Sequence, residues 1–233
     1  MSNYTSDLTV STPSLSRSRR LWIAIVLGSL SAFGPLSIDM YLPALPSLSK
    51  DLSAGASLTQ LSLTACLLGL ALGQLIAGSQ SDVRGRRIPL LVGLVAFFIS
   101  SLLCAASASI WGLILVRFLQ GLAGSVGIVI SRAVVRDLYS GSEMTKFFAL
   151  LMLVNGVGPI MAPILGGQLL QFTTWRGIFF VLSMFGIIML LAVYFGLPET
   201  LPAQRRSKSG LASTLATYRS LITDPVFMSY AVP

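Results

Sequence analysis

Six long apolar segments constrain this chain more than any other feature of its sequence. They lie at about residues 21–41, 58–78, 88–108, 110–131, 147–170 and 177–197. Each is close to the ~20 residues that an α-helix needs to cross about 30 Å of hydrocarbon. Because a strand edge exposed to lipid would leave backbone groups unpaired, all six are predicted to be helices. The predicted fold class is therefore all-α integral membrane protein, with six transmembrane helices.

The composition agrees with this prediction. Of the 233 residues, 54% are hydrophobic and 10% are charged, whereas an ordinary soluble domain has roughly 25% charged residues. The first apolar segment follows Arg17, Arg19 and Arg20, which is also how a cleavable signal peptide begins. That apolar run is too long for a signal peptide, and five more segments follow it.

The distribution of positive charge predicts the orientation in the membrane. The net charge is +8, but the cations follow the positive-inside rule and do not form a nucleic-acid-binding surface. With a cytoplasmic N-terminus, the inner loops hold thirteen of the 16 Lys and Arg residues and the outer loops hold Lys50 and Arg176. We therefore expect a multi-pass inner-membrane protein with both ends cytoplasmic, and no nucleic-acid partner.

Four regions are expected along the chain. Residues 1–20 resemble a disordered cytoplasmic tail, 21–197 form the six-span bundle, and 198–225 form a cytoplasmic linker. Within the linker, residues 211–222 are compatible either with a short interfacial helix or with a solvated loop. Residues 226–233 begin a further apolar run, which we interpret as the start of a seventh span in a truncated chain; a natural C-terminal tail is the alternative.

Enzymatic and metal-binding functions are not supported by the residues present. The chain has no histidine, and its two cysteines, Cys66 and Cys104, lie in apolar segments without metal-ligand spacing. No set of nucleophile, base and orienting group stands out. We expect no metal site, no cofactor and no enzyme activity.

Two ionisable residues lie inside the apolar segments, and such residues are functional candidates because their burial in lipid is costly. Asp39 and Arg117 both fall in the outer halves of their spans, so they are expected to approach one another or to face a common water-filled cavity. A carboxylate that responds to burial and to a nearby cation is what proton coupling requires. The alternatives are an interfacial Asp39 that caps the turn before Pro43, and a structural Arg117 bonded to carbonyls of neighbouring helices.

The loop between the second and third spans has a distinctive pattern of charge and glycine. It contains a glycine that permits close helix approach, an acidic residue, a turn glycine and a pair of arginines. These residues are Gly78, Asp82, Gly85, Arg86 and Arg87. Such a cluster is expected to hold two bundles together in one conformational state and to release them in another. The alternative, positive charges that only set topology, explains the arginines but not the acidic residue.

The same five residues match the pattern G-x-x-x-D-x-x-G-R-R, so the chain resembles the major facilitator superfamily, although Val83 stands where the family usually has Arg or Lys. Two further segments resemble the family's proton-coupled drug exporters. In the fourth span, Arg117, Gln120 and Gly121 are similar to a motif whose arginine is implicated in proton transfer. In the fifth span, the resemblance to the antiporter motif, for which a purely structural bend is the alternative, rests on Gly156, Gly158, Pro159, Pro163, Gly166 and Gly167.

Segments 37–46, 175–176 and 197–201 resemble the Bcr/CflA group, the bicyclomycin and chloramphenicol resistance type. The resemblance implies twelve spans in two halves, of which this chain is the N-terminal half. It implies proton-coupled efflux of small, mostly lipophilic drugs by alternating access, with the proton as coupling ion. The implied partners are the lipid bilayer, the drugs, and either a missing C-terminal half or a second copy. Tyr41 and Asn155 are candidates for drug contacts.

Two alternatives to a drug antiporter half remain open. The six spans are also compatible with a non-transporting remnant or assembly protein, whose fifth span would contact a partner outside this chain. A half-transporter that homodimerises is the other alternative, because two parallel copies would enclose a cavity.

Overall fold

The computed structural model of the protein describes residues 16–207, and within that range six helical spans are long and apolar enough to cross a membrane. The first span, Arg17–Asp51, is made of α1 (Arg17–Ser31), α2 (Phe33–Ile38), a 3-10 segment (Asp39–Ala44) and α3 (Leu45–Asp51). The other five are α4 (Ala56–Arg84), α5 (Arg87–Ala105), α6 (Ile110–Leu138), α7 (Gly141–Leu169) and α8 (Trp175–Gly196). The predicted fold class is confirmed.

The first span begins earlier than the hydropathy predicted. The side chain of Ser16 accepts a hydrogen bond of 3.4 Å from the backbone N–H of Arg19 and so caps α1. Residues 17–20, expected in a disordered tail, therefore form the first turn of a helix. Predictions for residues 1–15, for 211–222 and for a seventh span at 226–233 lie outside the described residues.

A break in the first span distinguishes it from the others. The α-helix is interrupted at Ala32 and gives way to 3-10 geometry from Asp39 to Ala44, with Pro43 inside the segment. Pro43 has no N–H to donate and disfavours α geometry at the residue before it. The break places Asp39 at the first position of the 3-10 segment, where the helical hydrogen-bond pattern changes.

The spans pack through small residues where their backbones come closest. α4 lies along α6, α5 lies against both α6 and α8, and α7 packs on the 3-10 segment. A Cβ added at Gly69 would meet the backbone of Phe118, and one added at Gly121 would meet the backbone of Cys66. Glycine permits this approach because it has no side chain. Gly121 of the fourth-span motif therefore has a packing role between α4 and α6.

The antiporter motif divides into packed and unpacked residues on α7. Gly158, Ala162 and Gly166 are four residues apart and therefore share one helix face. A Cβ at Gly158 would lie 2.9 Å from the Pro35 side chain, and one at Gly166 would meet the backbone of Met40. Two further motif residues, Pro159 and Pro163, lie within the helix, and a Cβ at Gly156 or Gly167 would meet nothing within 4 Å.

Gly166→Ala is expected to destabilise the bundle by about 1–3 kcal/mol, because the added methyl group meets backbone that has little room to move. The neighbouring Gly167→Ala substitution is the matched control and should cost nothing or be slightly stabilising, since alanine favours the helix. Thermal unfolding in detergent measures both. Equal melting temperatures for the two variants would contradict the close approach of α7 to Met40.

Candidate functional site

A buried guanidinium lies between the first, third, fourth and sixth spans. Arg117 is 0% exposed; its Nη1 donates to Oε1 of Gln120 at 2.6 Å and its Nη2 to the carbonyl of Ser37 at 2.9 Å. Gln120 in turn donates through Nε2 to Oγ of Ser101 at 2.8 Å. The bond to Ser37 crosses from α6 to α2. Arg117 and Gln120, the polar pair of the fourth-span motif, therefore act together.

Two aromatic rings complete the surroundings of the guanidinium. Its central carbon lies 4.5 Å from the ring centroid of Tyr41 and 5.4 Å from that of Phe179, which are cation–π distances. The hydroxyl of Tyr41 lies 2.9 Å from Oγ of Ser62, and the tyrosine is 0% exposed. The expected drug contact at Tyr41 is therefore inaccessible in this structure. We call Ser37, Tyr41, Ser101, Arg117, Gln120 and Phe179 the Arg117 cluster.

The Arg117 cluster retains unused hydrogen-bonding capacity. Within residues 16–207, Arg117 forms no ion pair, and its Nε and the Oγ of Ser37 are buried without hydrogen-bond partners. A buried charge that lacks an opposite charge is costly, because neutral partners repay its lost hydration only in part. The arrangement is therefore suited to accept an additional polar or anionic group.

Asp39 lies close to this cluster along the chain but is not bonded to it. It follows Ser37 by two residues and is half-buried, and its carboxylate makes no hydrogen bond or ion pair with the described part of the chain. No hydrogen bond or ion pair joins Asp39 to Arg117 within residues 16–207, and the two Nη groups of Arg117 donate instead to Gln120 and to the Ser37 carbonyl. Asn155, the other candidate for a drug contact, is partly buried and donates to the Leu151 carbonyl at 2.7 Å.

At the end of the bundle that carries residues 84–87, which we call the basic end, Arg86 joins three acidic or polar side chains. Its Nε donates to Asp137 at 2.9 Å, and its Nη1 donates to Asp82 at 2.6 Å and to Ser81 at 2.8 Å. The guanidinium therefore ties the end of α4 to the end of α6. Asp82 and Arg86 were predicted to act together, whereas Asp137 was missed.

Glu199 closes the same cluster from the segment after α8. Its carboxylate accepts the backbone N–H groups of Arg86 at 2.9 Å and of Arg87 at 3.2 Å, at the beginning of α5. Gly85 has φ +92°, and a Cβ there would meet this carboxylate. Burial alone would raise the pKa of Glu199, but these N–H donors, that of Leu201 and the charge of Arg206 hold it below its ordinary value.

The remaining loop residues contribute less. Arg87 donates through Nη2 to the Tyr194 carbonyl at 2.6 Å, which links α5 to α8. A Cβ at Gly78 would lie 3.9 Å from the Val129 side chain, an ordinary contact. We call Asp82, Arg86, Asp137 and Glu199 the basic-end latch. Four of the five predicted loop residues thus lie in or beside the latch, and Gly78 does not.

The depressed pKa of Glu199 predicts a pH dependence of stability. The stabilisation that the carboxylate provides is complete above its unfolded-state pKa of about 4.3 and is lost as pH falls through the lower folded-state pKa. The difference in melting temperature between the unaltered protein and Glu199→Gln should therefore be constant near neutral pH and shrink below about pH 4. A difference that is unchanged in strong acid would contradict the assigned role of the carboxylate.

Hydrogen bonds and an ion pair also link the helices at the opposite end of the bundle. Asp51, the last residue of the first span, accepts the indole N–H of Trp175 at 2.9 Å and pairs with Arg176. Arg176 also donates to the Ser107 carbonyl at 3.2 Å. This cluster joins the ends of α3, α5 and α8, and it gives the Trp-Arg pair at the start of the sixth span a structural role.

Comparison with known proteins supports the resemblance stated from the motifs. Residues 16–232 match the family model described as Major Facilitator Superfamily. An uncharacterized MFS-type transporter of Bacillus subtilis, YdgK, is 51% identical over 215 residues, which cover 91% of this chain and 54% of that protein. The bicyclomycin resistance protein homolog of Haemophilus influenzae is 35% identical over 182 residues, 78% of this chain and 46% of that one.

Solved structures share the fold. The human organic anion transporter MFSD10 superposes with a TM-score of 0.68 at 23% identity, over 89% of this chain and 55% of that one. The proton:xylose symporter XylE superposes with a TM-score of 0.71 at 16% identity, over 92% of this chain and 56% of that one. This chain spans about half the length of the relatives that it matches. It belongs to the Major Facilitator Superfamily, whose members are membrane transporters, and the prediction that it is not an enzyme is thereby confirmed.

Proposed function

We propose that these six spans form the N-terminal half of a proton-coupled exporter of small, mostly lipophilic drugs. Relatives of the chain include a bicyclomycin resistance protein homolog and the multidrug resistance protein MdtL. The observation that carries the proposal is the Arg117 cluster, a buried cation whose Nε has no hydrogen-bond partner among residues 16–207. Asp39, the proposed proton carrier, is two residues away from one of the cluster's members.

The break in the first span supplies a means of coupling. An ionised Asp39 is attracted by the guanidinium of Arg117, whereas a protonated Asp39 is not, so the two protonation states favour different positions of the residue. Asp39 opens the 3-10 segment, and that segment contacts α7 where Gly166 meets the Met40 backbone. A shift of Asp39 would therefore move α7 relative to the rest of the half.

α7 is the span that we propose contacts a partner. Its most apolar stretch is 11% buried, compared with 39–50% in the other five spans. Ile160 is 66% exposed and Met152 is 69% exposed, and partly buried Asn155 lies on the same helix as a proposed drug contact. A second six-span half is the partner we favour because the relatives are about twice as long. A second copy of this chain is the alternative.

The charge distribution supports an orientation with the basic end cytoplasmic. Of the 16 Lys and Arg residues, Lys50 and Arg176 belong to the opposite end and Arg117 is buried within the membrane. With a cytoplasmic basic end, the latch would close the cytoplasmic side in one state of an alternating-access cycle and open in the other. The membrane would be the cell inner membrane, with the N-terminus and the linker both cytoplasmic.

Asp39→Asn should abolish proton-driven drug transport in the complete transporter, since the amide cannot carry the proton. Drug accumulation in inverted vesicles under an imposed pH gradient measures this. Asp51→Asn is the matched control because Asp51 is a carboxylate on the same span that lies in the opposite-end cluster; it should retain transport. Full proton-driven accumulation in Asp39→Asn vesicles would remove Asp39 from the mechanism.

A further inference from the structure

A narrow apolar groove runs along the bundle away from the Arg117 cluster. It is formed where α4 and α5 diverge over α6, and its volume is about 560 Å³. Its walls are apolar along most of their length and include Ile76, Val92, Ala96, Ile99, Leu119 and Leu122. Neither Asp39 nor Arg117 lines it, so the proposed transport mechanism leaves the groove without a role.

Small residues line the floor of this groove: Gly73, Ala77, Gly93, Ala96 and Ala123. A Cβ at Gly73 or Gly93 would collide with α6, so these two glycines let α4 and α5 pack closely against it. On α5 the groove extends from Ile88 to Leu103, which is about 22 Å of helix rise. Half of a ~30 Å hydrocarbon layer is about 15 Å, so the groove is long enough for a chain that begins at one membrane surface and passes the midplane.

The size of the recess matches a single hydrocarbon chain. A volume of about 560 Å³ spread over about 22 Å gives a mean cross-section of about 25 Å². A hydrocarbon chain, whose carbons pack at about 3.5–4.0 Å from their neighbours, fits that cross-section. Because the groove is open along one side, its occupant is distinguished by the charge at one end of the groove.

The groove has a cation at one end only. Arg84, in the last turn of α4, and Gln80, one turn earlier, line it at the basic end. Arg84 is exposed, and its guanidinium forms no hydrogen bond or ion pair with any residue from 16 to 207, whereas the guanidinium of Arg86, two residues later, is paired with Asp82 and Asp137 in the latch. At this depth a cation meets the headgroups of the adjacent leaflet, where an anionic phospholipid gains about 1 kcal/mol per basic residue.

We propose that this groove is a binding site for an anionic glycerophospholipid from the leaflet at the basic end. One acyl chain occupies the space between α4, α5 and α6, and Arg84 and Gln80 contact the headgroup phosphate. The site is independent of proton coupling and of the transported substrate. Its nearest functional neighbour is the basic-end latch, because Arg84 lies between Asp82 and Arg86 in the chain.

Photochemical labelling tests the site in the full-length protein reconstituted into phosphatidylcholine nanodiscs. The probe is phosphatidylglycerol with a diazirine in one acyl chain, and labelled residues are mapped by mass spectrometry. Groove residue Ile99, 48% exposed, should be labelled several-fold more than Ile188, which is 56% exposed on α8 outside the groove. Equal labelling of the two isoleucines would overturn the proposal. So would an unlabelled Ile99 beside a labelled Ile188, which would mean that protein covers the groove.

Two pairs of variants test the acyl and headgroup contacts separately. Ala96→Trp should lower labelling of Ile99 to the level of Ile188, whereas Val95→Trp, on the same helix but outside the groove lining, should not. Arg84→Gln should remove a preference of about fivefold for the phosphatidylglycerol probe over a phosphatidylcholine probe. The matched control Arg132→Gln, also exposed and unpaired within the described range, should keep that preference. If Arg84→Gln kept the preference for the phosphatidylglycerol probe, recognition of the headgroup by Arg84 would be contradicted. This pair of variants introduces no bulky side chain.

Discussion

Arg117→Met should leave the bundle folded, with a melting temperature within a few degrees of the unaltered protein, and should abolish drug-coupled proton movement. The guanidinium is 0% exposed and has no acidic partner among residues 16–207. Replacing a buried charge by an apolar side chain of similar length therefore removes a desolvation cost together with its hydrogen bonds. The loss of transport would follow because Asp39 then has no cation to respond to.

Two measurements separate this expectation from a purely structural arginine. Thermal unfolding in detergent reports the fold, and the pH change inside proteoliposomes on drug addition reports coupling. Arg117→Lys is the companion variant: it keeps the charge but lacks the planar fork that reaches both Gln120 and the Ser37 carbonyl. We expect partial coupling in that variant. Unfolded Arg117→Met protein, or a folded variant with normal coupling, would contradict the proposed role.

Among substitutions at the two ends of the bundle, Arg86→Ala should lower the free energy of unfolding the most, by about 3–5 kcal/mol. The side chain of Arg86 is 9% exposed and that of Asp137 is 15% exposed, so removing the guanidinium leaves a mostly buried carboxylate with no opposite charge and only the Thr200 hydroxyl, at 3.2 Å, as a donor. The pair with Asp82 adds little, since that side chain is 56% exposed and its charge is screened by solvent.

The control for Arg86→Ala is Arg132→Ala, which removes an exposed arginine that has no ion pair within the described part of the chain. Chemical unfolding in mixed micelles, followed by helical circular dichroism, compares the two variants at equal protein concentration. We expect the Arg132 variant to match the unaltered protein. A second variant, Asp137→Asn, should lose less than Arg86→Ala because the amide still accepts from the guanidinium. If the Arg86→Ala protein were as stable as the Arg132→Ala protein, the latch would contribute nothing to the stability of the fold.

The six spans were predictable from hydropathy because the membrane imposes a length and requires internal hydrogen bonds. The ends of the spans were less predictable, because the hydrogen bonds of capping residues and short neighbouring helices determine where each span begins and ends. Ser16 begins α1 four residues before the apolar run, and α3 extends the first span to Asp51. The sequence indicated a turn before Pro43, but it did not reveal that a 3-10 segment replaces the α-helix there or that this segment packs on α7.

The sequence predicted which charged residue lies at the candidate site, but it did not predict the groups that this residue contacts. Arg117 was found because a charge in an apolar span is costly, yet its partners are a backbone carbonyl, an amide and two aromatic rings instead of Asp39. Polar groups without charge leave no comparable signal. Asp137 was missed because it follows Arg136 near a helix end, where charges are ordinary, and Glu199 was noticed only as part of a family segment.

Proton movement driven by a drug gradient, in proteoliposomes that contain the complete transporter, tests proton-coupled export most directly. A pH-sensitive dye is trapped inside, no pH gradient is imposed, and a panel of small lipophilic drugs that includes chloramphenicol is added outside. Proton antiport requires the internal pH to change as drug enters and protons leave, and requires Asp39→Asn to eliminate the change. Drug uptake without any change of internal pH, equal in the unaltered protein and in Asp39→Asn, would show that transport by this protein is not coupled to protons.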